Sequence, residues 1–461
     1  MEEAKQKKKE MQDEKMGTAP LGKLIFSLAI PSVVAQLINV IYNMVDRIYI
    51  GHIPKVGTEA LAGLGLSLPV IILIQAFSSL AGMGGAPRAS IQLGKGDREG
   101  AERILGNSVT MLIGFAVLLT FGFYFVKEPL LYLFGASDAT LPYAEAYLNI
   151  YLVGTIFVMA YQGLNLYISC QGHARTAMFS VLIGAILNIG LDPVFIFGLD
   201  MGIEGAALAT ILSQGVSAVW VVCFLLSKRT GLKIRVINMH LNPRVVGAIL
   251  GLGVSPFIMQ STESLISIVL NRGLQQYGGD IYVGVLTILQ SVMQLIVIPV
   301  QGFSQGVQPI ISYNYGAGQP KRVRKTFQIA LSVIWGFSFV FTGIVMLFPK
   351  TFVSLFTSQP EMLSLSAGKL PIFVAGLLIF GIQMTCQNTF MGLGKAKISL
   401  FIALWRKIIL LIPLAMILPH FAGVDGIYWS EPIADTVSAL TAGLLFVFTA
   451  WHKELKIQKE Q

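Results

Sequence analysis

Charge is scarce in this chain: 12% of its residues are charged against 54% that are hydrophobic, and the mean hydropathy is +0.70. A water-soluble domain rarely reaches such values, so an ordinary soluble enzyme or binding module is excluded. Cysteine is nearly absent as well. Cys170, Cys223 and Cys386 are odd in number and lie within or at the ends of apolar stretches, so they build no disulfide framework. His52, His173, His240, His420 and His452 are scattered without the spacing of metal ligands. A phosphate loop is missing too, because Gly392-Leu-Gly394-Lys395-Ala fails the G-x-x-x-x-G-K-[ST] pattern, which excludes ATP as an energy source. The first sixteen residues are too charged for a secretory signal and read as a solvated tail. The net charge of +9 is spread over several short breaks rather than gathered in one patch, which excludes a nucleic-acid partner and fits membrane topology and lipid contact.

What the sequence does have is long apolar runs. Stretches able to cross a ~30 Å hydrocarbon core as helices of roughly 20 residues recur at 21–50, 59–86, 101–126, 142–170, 175–198, 204–227, 245–272, 281–314, 326–348, 366–391, 397–418 and 427–450. Strands of a closed barrel would alternate and be about half as long. The expected fold is therefore an all-α integral membrane protein of twelve spans. Lys and Arg concentrate in the N-terminal tail (Lys5, Lys7, Lys8, Lys9, Lys15) and in the breaks after spans 2 (Lys95, Arg98, Arg103), 6 (Lys228, Arg229, Lys233, Arg235) and 8 (Lys321, Arg322, Arg324, Lys325). The other face holds little beyond Lys55, Lys127 and Lys350. By the positive-inside rule both termini are cytoplasmic, in a multi-pass protein of the cell (inner or plasma) membrane.

The chain also repeats itself at an offset of 221–225 residues. Asp46-Arg47 answers to Asn271-Arg272, Pro31 to Pro256, and Gly84, Pro87, Gly94, Gly96 to Gly306, Pro309, Gly316, Gly318. Gly172, Ala174, Arg175 recur as Gly394, Ala396, Lys397, and Gly202, Glu204, Gly205 as Gly423, Asp425, Gly426. Six spans per half is an even number, so two six-helix bundles related by a pseudo-twofold axis along the membrane normal are expected. The expected division is a tail (1–20), an N-terminal bundle (21–227), a cytoplasmic linker (228–244) serving as hinge or tether, a C-terminal bundle (245–450) and a second tail (451–461). The Gly-x-Gly pairs follow spans and precede basic segments, so they read as turns.

Polar residues inside a span should face protein or a water-filled cavity rather than lipid. Gln36, Asn39, Asn43 and Asp46 share one face of span 1, and Gln260, Glu263 or Ser264, Ser267 and Asn271 a comparable face of span 7. In span 8, Gln290, Gln294, Gln301, Gln305 and Gln308 fall within an arc of about 60° at ~100° per residue. Span 4 adds Gln162 and Asn165, and span 10 Gln383 and Gln387. Such residues either glue helices together, at about 0.6 kcal/mol per bond, or line a solvated path. A stripe of full bilayer depth favours the path. Asn188 and Asp192 in span 5 are spaced i, i+4 ahead of Pro193, and Asp46, Asp192 and Thr210 sit at similar depth, where they would converge on one cation. The plainer alternatives are a helix-end Asp46 paired with Arg47 and a structural Asp192. Glu431 and Asp435 share a face of span 12, with Arg406 and Lys407 of span 11 as their expected ion partners, while Glu263 lies deep in span 7.

These residues resemble the multidrug and toxic compound extrusion (MATE) transporters, most closely the branch of DinF and the MepA-type exporters, over roughly residues 20–450. The likeness rests on Asn43-Met-Val-Asp46-Arg-Ile-Tyr-Ile-Gly51, Asn188-Ile-Gly-Leu-Asp192-Pro193, Gly202-Ile-Glu-Gly205-Ala206-Ala-Leu-Ala-Thr210 and the paired Gly-Pro-Gly elements. The resemblance implies two six-helix bundles around a cavity and H⁺- or Na⁺-driven export of small organic molecules. Asp46, Asn188, Asp192 and Thr210 match its N-terminal cation site. Glu263 resembles a span-7 acid of another branch, whose span-10 aspartate is replaced near Gln383. Neutral to acidic stripes favour neutral or cationic amphipathic cargo. A flippase for lipid-linked precursors, a passive channel and an integral membrane enzyme are the rivals, the last lacking any cluster of nucleophile and base. No cofactor beyond the coupling ion is expected, and no obligate protein partner, only small-molecule substrates and membrane lipids around a monomer.

Overall fold

In a computed structural model, which describes residues 15–454, every regular element is helical. In chain order these are α1 (Leu21–Gly51), α2 (Gly57–Gly94), α3 (Arg98–Leu133), α4 (Leu141–Val153), α5 (Thr155–Ser169), α6 (Ala174–Pro193), α7 (Gly202–Leu226), α8 (Pro243–Gly278) and α9 (Asp280–Gly316). They continue as α10 (Pro320–Leu347), α11 (Pro349–Val353), α12 (Pro360–Val374), α13 (Leu377–Gly392), α14 (Ala396–Leu404), α15 (Ile412–Ile417), α16 (Pro419–Ala422) and α17 (Val424–Leu445). Wider π-turns follow α6 (Val194–Gly198), join α14 to α15 (Trp405–Leu411) and extend α17 (Phe446–Glu454).

Among the described residues, ten helical stretches are long and apolar enough to span a bilayer, and two bent helix pairs each pass as one further span. The pair α4 and α5 bends by 59° and the pair α12 and α13 by 43°, which completes twelve. Apolar periodicity runs straight through both breaks, which is why twelve unbroken spans were expected. Prolines occur inside α1 (Pro31), α2 (Pro69, Pro87), α8 (Pro256) and α9 (Pro299, Pro309) without ending them. Neighbouring helices and hydroxyl side chains can take up the backbone groups that a proline frees. Next to Pro31, the Ser32 hydroxyl turns back into the helix and donates to the Leu28 carbonyl at 2.9 Å.

The chain divides into two compact units, one holding residues 34–260 and the other residues 19–33 and 261 onward. The divisions therefore fall inside α1 and α8, shortly after the repeat-related Pro31 and Pro256, and not at the 228–244 linker. That linker is strapped along α3: the Thr110 hydroxyl donates to the Met239 carbonyl at 2.6 Å and the Asn242 amide to Asn107 Oδ1 at 2.8 Å. A freely moving hinge would not hold such bonds. The basic tail residues Lys5, Lys7, Lys8 and Lys9 lie outside the described residues.

Repeated glycines have two physical causes. Gly96 and Gly318, Gly172 and Gly394, and Gly202 and Gly423 all adopt positive φ, as the turn reading requires. Gly84 and Gly306 instead mark helix crossings. A Cβ on Gly84 would lie 2.3 Å from the Ile249 carbonyl oxygen of α8, within the first unit. A Cβ on Gly306 would lie 2.5 Å from the Ala29 Cα of α1, within the second. Both obstacles are backbone and cannot swing aside. Gly84→Val and Gly306→Val are each expected to cost about 1–3 kcal/mol through overpacking, read as a lowered unfolding midpoint in detergent. A midpoint equal to that of the parent in both variants would show that the crossings tolerate separation.

Candidate functional site

In the first unit, α1, α6 and α7 bring four polar side chains into one buried place. Asp192 is fully buried and Asp46 is 7% exposed, with Asn188 and Thr210 buried beside them. The i, i+4 spacing on α6 lets the Asn188 amide donate to Asp192 Oδ1 at 3.3 Å, and the same amide reaches Thr210 Oγ1 on α7 at 3.4 Å. Asp46 and Asp192 lie within electrostatic reach of each other. Pro193 closes α6 immediately after the carboxylate, and the π-turn Val194–Gly198 follows. Such wide turns are rare and recur at functional positions.

The bonding is incomplete mainly on the acceptor side, although the Ser213 hydroxyl at the same cavity is also without a partner. Among the described residues, Asp46 Oδ1, Asp192 Oδ2, Asn188 Oδ1 and Gln214 Oε1 are buried without a hydrogen-bond partner. All four are acceptors. Buried acceptors without donors cost about 1–3 kcal/mol each, more when charged, so this cluster favours whatever brings positive charge: a proton on a carboxylate, or a cation that prefers oxygen ligands. A cavity of about 20 Å³ adjoins it, lined by Asn39 and Tyr42 of α1, Tyr161 of α5, Asn188, Thr210 and Gln214 among others. Space of that size holds about one water molecule. No group of three or more His, Cys, Asp or Glu that would hold a metal ion is found among the described residues. Gln214 and Tyr42 were not singled out from sequence. The signal was there, since Gln214 follows Thr210 by one helical turn and Tyr42 follows Asn39 by three residues on the face that carries Asp46.

The other polar residues are placed variously. Asn43 is exposed and its amide returns to the Asn39 carbonyl at 2.6 Å. Gln36 and Gln162 are half-buried. Asn165 joins α5 to α6, donating to the Ala177 carbonyl at 3.2 Å and accepting from Ser180 at 3.0 Å. Gln260 donates to Ser79 Oγ at 2.8 Å, tying α8 to α2. In the second unit Gln383 and Gln387 are buried on α13, whereas Gln290, Gln301, Gln305 and Gln308 of α9 are half-buried and Gln294 is exposed. The stripe thus occupies a less covered face of α9. Cysteines placed at Gln290, Gln294, Gln301 or Gln305 are expected to react with water-soluble thiol reagents, and inertness of all four would mean that this face meets lipid or protein.

At the positions that the 222-residue offset relates to Asn188 and Asp192, the second unit has Leu410 and Leu414. Its ionisable residues form a different assembly. Arg406, in the π-turn Trp405–Leu411, donates to Asp435 Oδ1 at 2.6 Å and reaches Glu431 Oε1 at 3.3 Å. Lys407, expected to share those partners, instead pairs with Glu263 of α8 at 2.7 Å. Consecutive residues point in different directions around a helix, so one serves α17 and the other α8. Lys407 is 5% exposed and Glu263 is 53% exposed, so the carboxylate keeps an uncovered side. Each cation here is bonded to at least one carboxylate, with Arg406 shared by two, so this network of three carboxylates and two cations carries its own counter-ions, which the first-unit site lacks.

Comparisons with known proteins agree with this architecture. The MatE family model matches residues 31–194 and again 256–417, one copy for each half of the repeat. The multidrug export protein MepA of Staphylococcus haemolyticus is 25% identical over 440 residues, covering 95% of both chains. MepA of Staphylococcus aureus strain NCTC 8325 is 25% identical over 429 residues, 93% of this chain and 94% of its own. Among solved structures, a MATE protein in the bent conformation aligns with a TM-score of 0.89 at 24% identity, covering 96% of this chain and 98% of its own. An outward-facing multidrug resistance MATE transporter aligns at 0.88 and 23%, covering 95% and 98%. With its twelve spans, its internal repeat and two matches that together cover most of its length, the chain belongs to the MatE family of membrane transporters.

Proposed function

We propose that the protein is a secondary active exporter of small, cationic or neutral amphipathic organic compounds, driven by entry of H⁺ or Na⁺ through the first-unit site. The observation that carries this reading is the set of unpartnered acceptor oxygens on Asp46, Asn188, Asp192 and Gln214. Two carboxylates within reach of each other in a low-dielectric place resist ionising together, so one proton or one cation is the natural complement. Neutralising them removes a repulsion between α1 and α6 and supplies the differential affinity that conformational coupling needs. Asn188, whose amide also donates to Thr210, orients the Asp192 carboxyl, while Asn39, Tyr42 and Gln214 border the adjoining space.

The multidrug export reported for the staphylococcal relatives supports this cargo class, and so do the neutral glutamines of α9. Alternating access, a plasma-membrane location with both termini cytoplasmic, and action as a monomer belong to the same proposal. The test is purified protein in liposomes with an ethidium-like dye, under a pH gradient and a Na⁺ gradient applied separately. Dye should move against its gradient under at least one of them. Equal flux with no gradient would identify a passive channel.

A further inference from the structure

The linker between the repeats carries five basic residues, Lys228, Arg229, Lys233, Arg235 and Arg244, and no acidic one from 228 to 244. It is held against the turn between α5 and α6 and along α3 by a series of bonds. Thr230 Oγ1 and the Leu232 amide donate to Gln171 Oε1 at 2.8 Å each, Arg98 donates to the Gly231 carbonyl, and Arg235 pairs with Glu102 at 2.9 Å. Further along, Asn107 donates to the Asn238 carbonyl at 3.2 Å and Thr110 to that of Met239 at 2.6 Å. The chain runs so close to α3 that a Cβ on Gly106 would lie 2.3 Å from the Asn238 carbonyl oxygen.

These contacts fix the depth of the segment. After Arg103, α3 has no charged residue until Lys127, a run only slightly longer than a ~30 Å hydrocarbon core requires at 1.5 Å per residue. Gly106, Asn107 and Thr110 lie three to seven residues past Arg103, roughly 5–10 Å along the axis. The segment bonded to them therefore sits level with the border between headgroups and acyl chains. There it presents Val236, 81% exposed, Ile237, 77% exposed, and the exposed Leu241. Apolar side chains at that depth, flanked by exposed Lys and Arg, have the make-up of an interfacial anchor.

We propose that residues 233–241 form an interfacial strap, which seats Val236, Ile237 and Leu241 at the edge of the acyl layer and binds anionic phospholipid headgroups through Lys228, Arg229, Lys233 and Arg244. Basic residues near an anionic leaflet are drawn to it, and the exposed apolar side chains gain by leaving water. Arg235 is already engaged by Glu102 and contributes less. The strap fastens the cytoplasmic end of α3 to the leaflet, and the role does not depend on which ion drives transport.

The test uses the full chain in lipid nanodiscs with Cys223 replaced by Ser and a nitroxide on Ile237→Cys. The nanodiscs hold phosphatidylcholine alone or mixed equally with phosphatidylglycerol. The label should collide with lipid-soluble oxygen several-fold more readily than with a water-soluble nickel chelate. The phosphatidylglycerol mixture should strengthen that preference, and Lys233→Gln with Arg229→Gln should remove the gain. Gly106→Val, which lifts the strap from α3, should raise nickel access. A label dominated by nickel in both lipids would place the strap in water and overturn the proposal. Shielding from both reagents would mean that protein covers it, and a preference for oxygen that ignores lipid charge would overturn the headgroup part.

Discussion

Asp192→Asn is expected to abolish gradient-driven export while the protein still folds and reaches the membrane. Asparagine keeps the size of the side chain and can still pair with the Asn188 amide through its carbonyl oxygen, so the bond at 3.3 Å survives. What it removes is the charge that a proton or cation would neutralise. Asp46→Asn should act in the same way, because either change leaves only one carboxylate in a place built around two. The double variant should be scarcely worse than either single one, since residues that act as a unit are not additive. Leu414→Ala, at the position the repeat relates to near Asp192, should lower stability through lost packing and leave coupling in place. The readout is dye export from liposomes, with protein yield and unfolding midpoint as controls. Normal export by Asp192→Asn together with a dead Glu263→Gln would move the coupling site to the second unit.

The largest loss of stability is expected from Arg406→Met. Its guanidinium is the hydrogen-bonded partner of both Asp435 and Glu431, which lie one turn apart on α17 and are nearly covered by protein. Removing it leaves two like charges facing each other without a counter-ion at that end. Breaking a buried pair in this way costs about 3–5 kcal/mol, a shift of two powers of ten or more in the folded-to-unfolded ratio. Detergent-solubilised protein should therefore lose much of its monodisperse peak on heating well below the parent's midpoint. Combining Arg406→Met with Glu431→Gln and Asp435→Asn should recover most of the loss, because the stranded charges go with it. An unchanged midpoint in the single variant would mean that the network contributes little.

Some of this was legible in the sequence and some was not, for physical reasons. Twelve spans follow from hydrocarbon thickness, which a chain cannot evade, and the repeat was visible because Gly96, Gly172 and Gly202 and their counterparts need positive φ. The pairing of Asn188 with Asp192 follows from helical spacing on a single element. Long-range geometry was hidden. Lys407 meets Glu263 across 144 residues, and nothing in the spacing of Arg406 and Lys407 says that they serve different helices. The bends at Gly154 and at Ala375–Gly376 interrupt no apolar run. The unit borders inside α1 and α8 were equally invisible, because a helix that changes neighbours midway keeps its hydropathy. The linker reads from its polar, Pro-containing make-up as a hinge or a tether alike, and the hydrogen bonds from Asn107 and Thr110 that hold it are not written in its own residues.

The most direct test of the central claim is whether cargo and coupling ion displace each other through Asp46 and Asp192. Purified protein in weakly buffered detergent solution would receive an ethidium-like ligand, with released protons followed by a pH-sensitive dye and released Na⁺ by tracer after preloading. The account predicts that the parent protein releases one of these ions on ligand addition. It predicts no release from Asp46→Asn with Asp192→Asn, and undiminished release from Glu263→Gln. Release that persists in the double aspartate variant and vanishes in Glu263→Gln would contradict it.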